Sequence, residues 1–178
     1  MKSLAEVLRV IEEIPEPMCG GMQPHVLYTM ATQTKGLGAV VEIGTCAGKS
    51  AIALGYGRQS TGRAPIHSID IVEHPSLRDN LHRAGVEDFV RCSLLGSERS
   101  ARDWLEPIEL LWIDGDHSYN GVLRDIRAWA HHVVPGGVLA FHDYPAPGGD
   151  SLGDVGRAVY QTILARPDRW RVGFPSAA

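Results

Sequence analysis

Residues 40–48 read VVEIGTCAG and run into AGKSAIALGYG, a stretch rich in alanine and glycine. An apolar run through Val40 and Val41, an acid at its tip (Glu42) and glycines at 44 and 48 before a helical pattern read as strand, turn and helix. This unit restricts the chain to an α/β fold, because it forms the cofactor corner of a doubly wound sheet. Glycine at the turn lets a ligand approach the backbone without a Cβ in the way. The helix behind it offers free N–H groups at its start. The spacing is E-x-G-x-x-x-G, whereas the dinucleotide fingerprint requires G-x-G-x-x-G. Glu42 would repel a pyrophosphate and suits a cofactor carrying a cationic amino group.

The remaining chain continues the alternation. Strands are expected near 39–43, 66–70, 88–92, 109–113 and 137–142, with WRVGF (170–174) as a last short strand. Helices are expected near 3–13, 25–34, 47–58, 76–84, 98–104, 119–131 and 153–165. Such alternation predicts a mostly parallel Rossmann-like sheet of six to seven strands with helices on both faces. A length of 178 residues fits a single domain, with 1–36 as a helical cover and 37–178 as the core. The net charge of −4 and scattered arginines argue against nucleic acid. No apolar run is long enough to cross a bilayer, and the amphipathic, acid-bearing start is not a secretory signal. Cys19, Cys46 and Cys92 follow no metal spacing, so a reducing cytoplasm is the expected compartment. The chain leaves its oligomeric state open, a homo-oligomer included.

In open parallel sheets the ligand lies beyond the carboxyl ends of the strands. Polar residues at those ends are therefore the site candidates. Asp70 ends the second strand and is placed to accept hydrogen bonds from ribose hydroxyls, with Ile71 and Val72 beside an adenine. Ser93, at the end of the third strand, is placed to contact the adenine edge. The fourth strand, ELLWID, delivers Asp114 at its last residue, where an unpaired carboxylate is costly. His117 follows near a helix start, which disfavours imidazolium and leaves the ring free to take a proton. Asp116 is a candidate helix cap. The fifth strand ends in His142 and Asp143. With Asp114 on the neighbouring strand, these make a candidate divalent-metal set. The Gly/Pro-rich loop after Asp143 lies over the same rim.

Taken in order, VVEIGTCAGKS, IHSID, LLWIDGDHSYNGVLRDIRAW and PGGVLAFHD resemble the class I S-adenosylmethionine-dependent methyltransferases. The closest likeness is to the small metal-dependent O-methyltransferases of natural-product and sugar tailoring. The resemblance covers residues 38–165, and IDGDHSY is its most specific segment. It implies S-adenosylmethionine held by Glu42, Gly44, Gly48, Asp70, Ile71, Ser93 and Asp114, and a small-molecule hydroxyl as methyl acceptor. It also implies Asp114 and Asp143 as ligands of Mg²⁺ or another divalent metal, with His117 as base. His142 stands where those relatives carry an acid, which lowers the expected Mg²⁺ affinity. The family's sheet ends in a hairpin, and WRVGFPSAA leaves room for one strand of it. A nicotinamide-dependent oxidoreductase and a non-catalytic cofactor-binding protein are the alternatives on the same fold.

Overall fold

The computed structural model describes residues 1–15, 20–145 and 152–173. Pro17, Cys19, segment 146–151 of the long loop and Phe174 of the expected last strand lie outside them. The elements are α1 (Leu4–Glu13), α2 (Gln23–Thr32), β1 (Ala39–Ile43), α3 (Lys49–Ser60), β2 (Ile66–Asp70) and α4 (Leu77–Ala84). They continue with β3 (Val90–Leu94), α5 (Ser97–Arg102), β4 (Ile108–Ile113), α6 (Tyr119–Trp129), β5 (Val133–Phe141) and α7 (Gly153–Val159), which runs on as a π-helical turn over Tyr160–Leu164. Local chemistry accounts for the helix starts. Ser3 and Glu6 form a reciprocal capping box at α1. The Ser118 hydroxyl accepts from Gly121 N–H at the start of α6. Asp116, the candidate cap, instead accepts from Ser118 N–H at 2.9 Å, two residues ahead of the cap position.

The strands form one sheet in the order β3-β2-β1-β4-β5, and every pairing is parallel. Five strands, not six or seven, make the sheet among the described residues. The expected last strand is absent over residues 170–173, and β5 is the edge. Strands β1 and β4 are buried along their whole length because helices cover both faces. Val40, Ile66, Val90, Leu110 and Trp112 pack under α1–α4. Val41, Ile43, Ile69, Leu111 and Ile113 pack under α5–α7. The period-2 alternation of a strand sends neighbours to opposite faces, so one apolar run feeds two cores. No helix among the described residues is long and apolar enough to cross a membrane.

The chain lays β1, β2 and β3 outward in one direction, then returns to place β4 on the other side of β1. The strand order reverses between β1 and β4. A crevice opens at such a reversal, outside the carboxyl ends of the strands. Gly44, which follows β1, and Asp114, which follows β4, flank it.

Candidate functional site

The turn after β1 is built by contact with β4 and β2. Gly44 has φ +92°, and a Cβ there would fall on the carbonyl oxygen of Asp114. Its N–H donates to Ile69 O, and Asp114 N–H donates to Ile43 O, each at 2.8 Å. Glycine at 44 is thus required by the neighbouring backbone, independently of any ligand. Gly48, at φ +93°, is the N-cap of α3 and supplies the left-handed turn into the helix. Between them Cys46 adopts φ +45°, a sparsely populated conformation for a residue with a side chain.

Asp70 holds that strained turn. Its Oδ2 accepts from Thr45 N–H at 2.8 Å and Cys46 N–H at 3.0 Å, and its Oδ1 from Ile71 N–H at 2.7 Å. Both oxygens are engaged by backbone donors, which ties the glycine turn to the start of the β2–α4 loop. The carboxylate remains at the crevice, but its first task is to order the turn. Ile71 and Val72 follow it and are exposed. Ser93 lies one residue before the end of β3, in register with Ile69. Thr45 was not singled out from sequence. Its hydroxyl lies 2.6 Å from Ser68 Oγ, and Ser68 in turn donates to Glu42. A polar side chain inside a glycine turn was the available signal.

Glu42 does not stand at the rim as a free carboxylate. It is fully buried beside Ser68 in the β1–β2 pairing, on the face covered by α3. Desolvation pushes its pKa up to about 8, against the smaller lowering effect of hydrogen bonds from Ser50 and Ser68. At neutral pH it is a carboxylic acid, and its Oε1 has no hydrogen-bond partner. A proton bound more tightly in the folded state stabilises fully below the ordinary value of 4.5 and is lost as the pH rises to about 8. The melting temperature should therefore fall across that window relative to Glu42→Gln, which mimics the protonated acid. The relative loss should reach roughly 1–5 kcal/mol. Parallel melting curves for the two proteins would show that Glu42 ionises without hindrance.

Asp114, His117, His142 and Asp143 converge at the ends of β4 and β5. His117 Nε2 lies 3.0 Å from Asp114 Oδ1, and its Nδ1 lies 3.1 Å from Asp143 Oδ2. His142 Nδ1 is 3.1 Å from Asp114 Oδ1 and 3.2 Å from Asp143 Oδ1. Asp143 reaches back because its backbone is left-handed, at φ +53°. Burial raises the pKa of Asp114, while the His142 and His117 rings work in the other direction. Ser118 separates the His117 ring from the start of α6.

Among the described residues, Asp114, His117 and His142 each offer a ligand atom, all within 4.8 Å of one another. Asp114 and His142 belong to the expected set, His117 joins them, and Asp143 lies against both rings, 3.1 Å from His117 Nδ1 and 3.2 Å from His142 Nδ1. A separate cavity of about 430 Å³ lies at the opposite end of the strands, lined by Arg58, Arg63, His67, Arg91 and Glu106 among others. It is remote from this cluster, and Arg58 and Arg63 donate there to the backbone oxygens of Ala64 and of Thr32 at the end of α2.

Residues 41–144 match the profile of a family described as a methyltransferase domain. The chain belongs to this family of S-adenosylmethionine-dependent methyltransferases. An uncharacterized protein of Acanthamoeba polyphaga mimivirus is 29% identical over 128 residues, covering 67% of this chain. The chain spans 58% of the length of that curated relative. Among solved structures, cofactor-bound Rv0187 from MTB has a TM-score of 0.68 at 25% identity, covering 90% of this chain and 75% of that one. The O-methyltransferase from Bacillus cereus in complex with SAH has a TM-score of 0.66 at 21% identity, covering 94% and 81%. TomG, an O-methyltransferase from Streptomyces achromogenes in complex with SAM, has a TM-score of 0.64 at 16% identity, covering 94% and 81%. The latter two likenesses are of fold.

Proposed function

We propose that this methyltransferase moves the methyl group of S-adenosylmethionine to a hydroxyl of a small molecule. One observation carries the choice of a hydroxyl. The Asp114–His117 pair, a ready proton acceptor, sits on the residue whose backbone touches Gly44 of the cofactor turn. A hydroxyl bound there is within reach of both methyl donor and proton acceptor. Transfer requires an in-line approach of oxygen to the methyl carbon, and holding the two together supplies much of the rate. The turn Gly44–Gly48 and Asp70 position the cofactor. His117, half-exposed beside the buried Asp114, takes the hydroxyl proton, and Asp143 holds the ring from its other nitrogen. Alternatively, Asp114, His117 and His142 would hold a divalent ion, in which case His117 serves as ligand and not as base; the buried Nδ1 of His142, which makes no hydrogen bond, fits that purpose. Such an ion, when bound, lowers the pKa of a coordinated hydroxyl.

The E-x-G-x-x-x-G spacing and the family membership weigh against the nicotinamide reading, and the proton-accepting cluster weighs against a purely binding role. Calorimetry should show S-adenosylhomocysteine binding with a micromolar constant or tighter, roughly −8 kcal/mol. Asp70→Ala should weaken that binding by about 1–3 kcal/mol and lower the stability of the cofactor-free protein by a similar amount, because it orphans the turn N–H groups. Binding of NADH without a response to the homocysteine analogue would overturn the reading. Loss of stability without loss of affinity would confine Asp70 to the turn.

A further inference from the structure

We propose that the rim cluster is a site for a borderline transition ion such as zinc or cobalt, in preference to magnesium. The inference deepens the methyl-transfer reading and rests on it only for the ion's use. Its grounds are the donors themselves. Asp114, His117 and His142 contribute one carboxylate oxygen and two imidazole nitrogens. Imidazole suits zinc, iron, nickel and copper, and two histidines with one carboxylate on one side of an ion form a recurrent set with open positions. Magnesium favours oxygen ligands and retains its waters, so two of the three donors are wrong for it.

Position and orientation agree with the chemistry. His142 Nδ1 is buried and has no hydrogen-bond partner, although two carboxylate oxygens lie 3.1 and 3.2 Å away. Buried ring nitrogens are normally satisfied, and a cation shared with the Asp114 carboxylate would satisfy this one. The contacts of Asp114 Oδ1 with His117 Nε2 and His142 Nδ1 are 3.0 and 3.1 Å. Ligands at right angles, each about 2.1 Å from a shared ion, are separated by about 3 Å. His117 presents Nε2 to Asp114 while Nδ1 faces Asp143 at 3.1 Å. A carboxylate on the far nitrogen is how proteins orient an imidazole ligand. Asp143 is thus a positioning residue for the ring. The side chain of His117 is 35% exposed, which leaves the cluster open toward solvent for water or a substrate oxygen.

The test uses the whole chain, stripped with a chelator and titrated with Zn²⁺, Co²⁺ or Mg²⁺ by calorimetry and thermal shift. Zinc and cobalt should bind at least about 100-fold more tightly than magnesium. Cobalt should also give visible absorption bands that His142→Ala abolishes. Asp143→Asn should weaken zinc by about 10–100-fold while leaving the rank order intact. His142→Asp should narrow the preference by trading an imidazole for a carboxylate. Should that variant not fold, the affinities of the unaltered chain decide. Magnesium binding as tightly as zinc, cobalt bands that survive His142→Ala, or no ion binding would each overturn the proposal. S-adenosylhomocysteine titrated into the same samples separates the two readings. Cofactor binding without ion preference sinks the metal assignment alone, and cobalt bands without cofactor binding sink methyl transfer alone.

Discussion

His117→Ala should lower kcat by about 10²–10⁴-fold while leaving S-adenosylhomocysteine affinity unchanged. The ring meets the two carboxylates with its two different nitrogens, Asp114 on Nε2 and Asp143 on Nδ1, whereas His142 meets both through Nδ1 alone. Alanine removes the proposed proton acceptor while His142 still lies between the two acids, and the glycine turn after β1 is untouched. Asp114 remains fixed there by its own N–H to Ile43 O. The measurement is turnover against a panel of hydroxylated acceptors, made on protein whose fold has been confirmed. A merely structural ring would instead lower the melting temperature with little change in the turnover of the folded fraction. Repeating the assay after chelation divides the remaining cases. If chelation alone reproduces the loss, His117 acts as a ligand; if turnover survives chelation and falls only on substitution, the ring is the base.

Gly44→Ala should abolish cofactor binding and destabilise the fold by more than about 3 kcal/mol, well beyond the usual range for one substitution. Two penalties coincide. The conformation at φ +92° is disfavoured for any residue with a side chain. The new Cβ would also occupy the position of the Asp114 carbonyl oxygen, which is backbone and has no rotamer to yield. Relief requires β1 and β4 to separate at the crevice, taking Asp114 and the turn with them. Gly48→Ala is the informative control. Its Cβ would meet the Cδ1 of Leu77 at 2.8 Å, a flexible side-chain end, so only the left-handed backbone is penalised. Chemical denaturation of both variants should rank Gly44→Ala as the more damaging. Equal damage would mean that φ alone matters and that the contact with Asp114 does not.

Helices and strands were legible because each writes its period into consecutive residues. VVEI and ELLWI are continuous apolar runs because both of their faces are covered, and VLRDIRAW carries the spacing of a helix with one buried side. Asp70, Asp114, His142 and Asp143 could be selected as neighbours because a parallel sheet gathers its carboxyl ends on one rim. The strand count failed where the pattern was shortest. WRVGF has the composition of a strand, but pairing with a neighbour, which composition does not encode, is absent over residues 170–173.

The amino-acid sequence by itself determined the alternation of elements, the family to which the chain belongs and the set of polar residues on one rim. These depend on local periodicity and on residue type at strand ends. Only the tertiary structure decided what each residue does there. Gly44 is glycine because of Asp114, 70 residues away; Asp70 orders Thr45 and Cys46; and Asp143 grips His117 from the end of another strand. Glu42 carries a proton because two buried faces close over it, so that desolvation, a property of everything packed around the side chain, outweighs its own preference for charge.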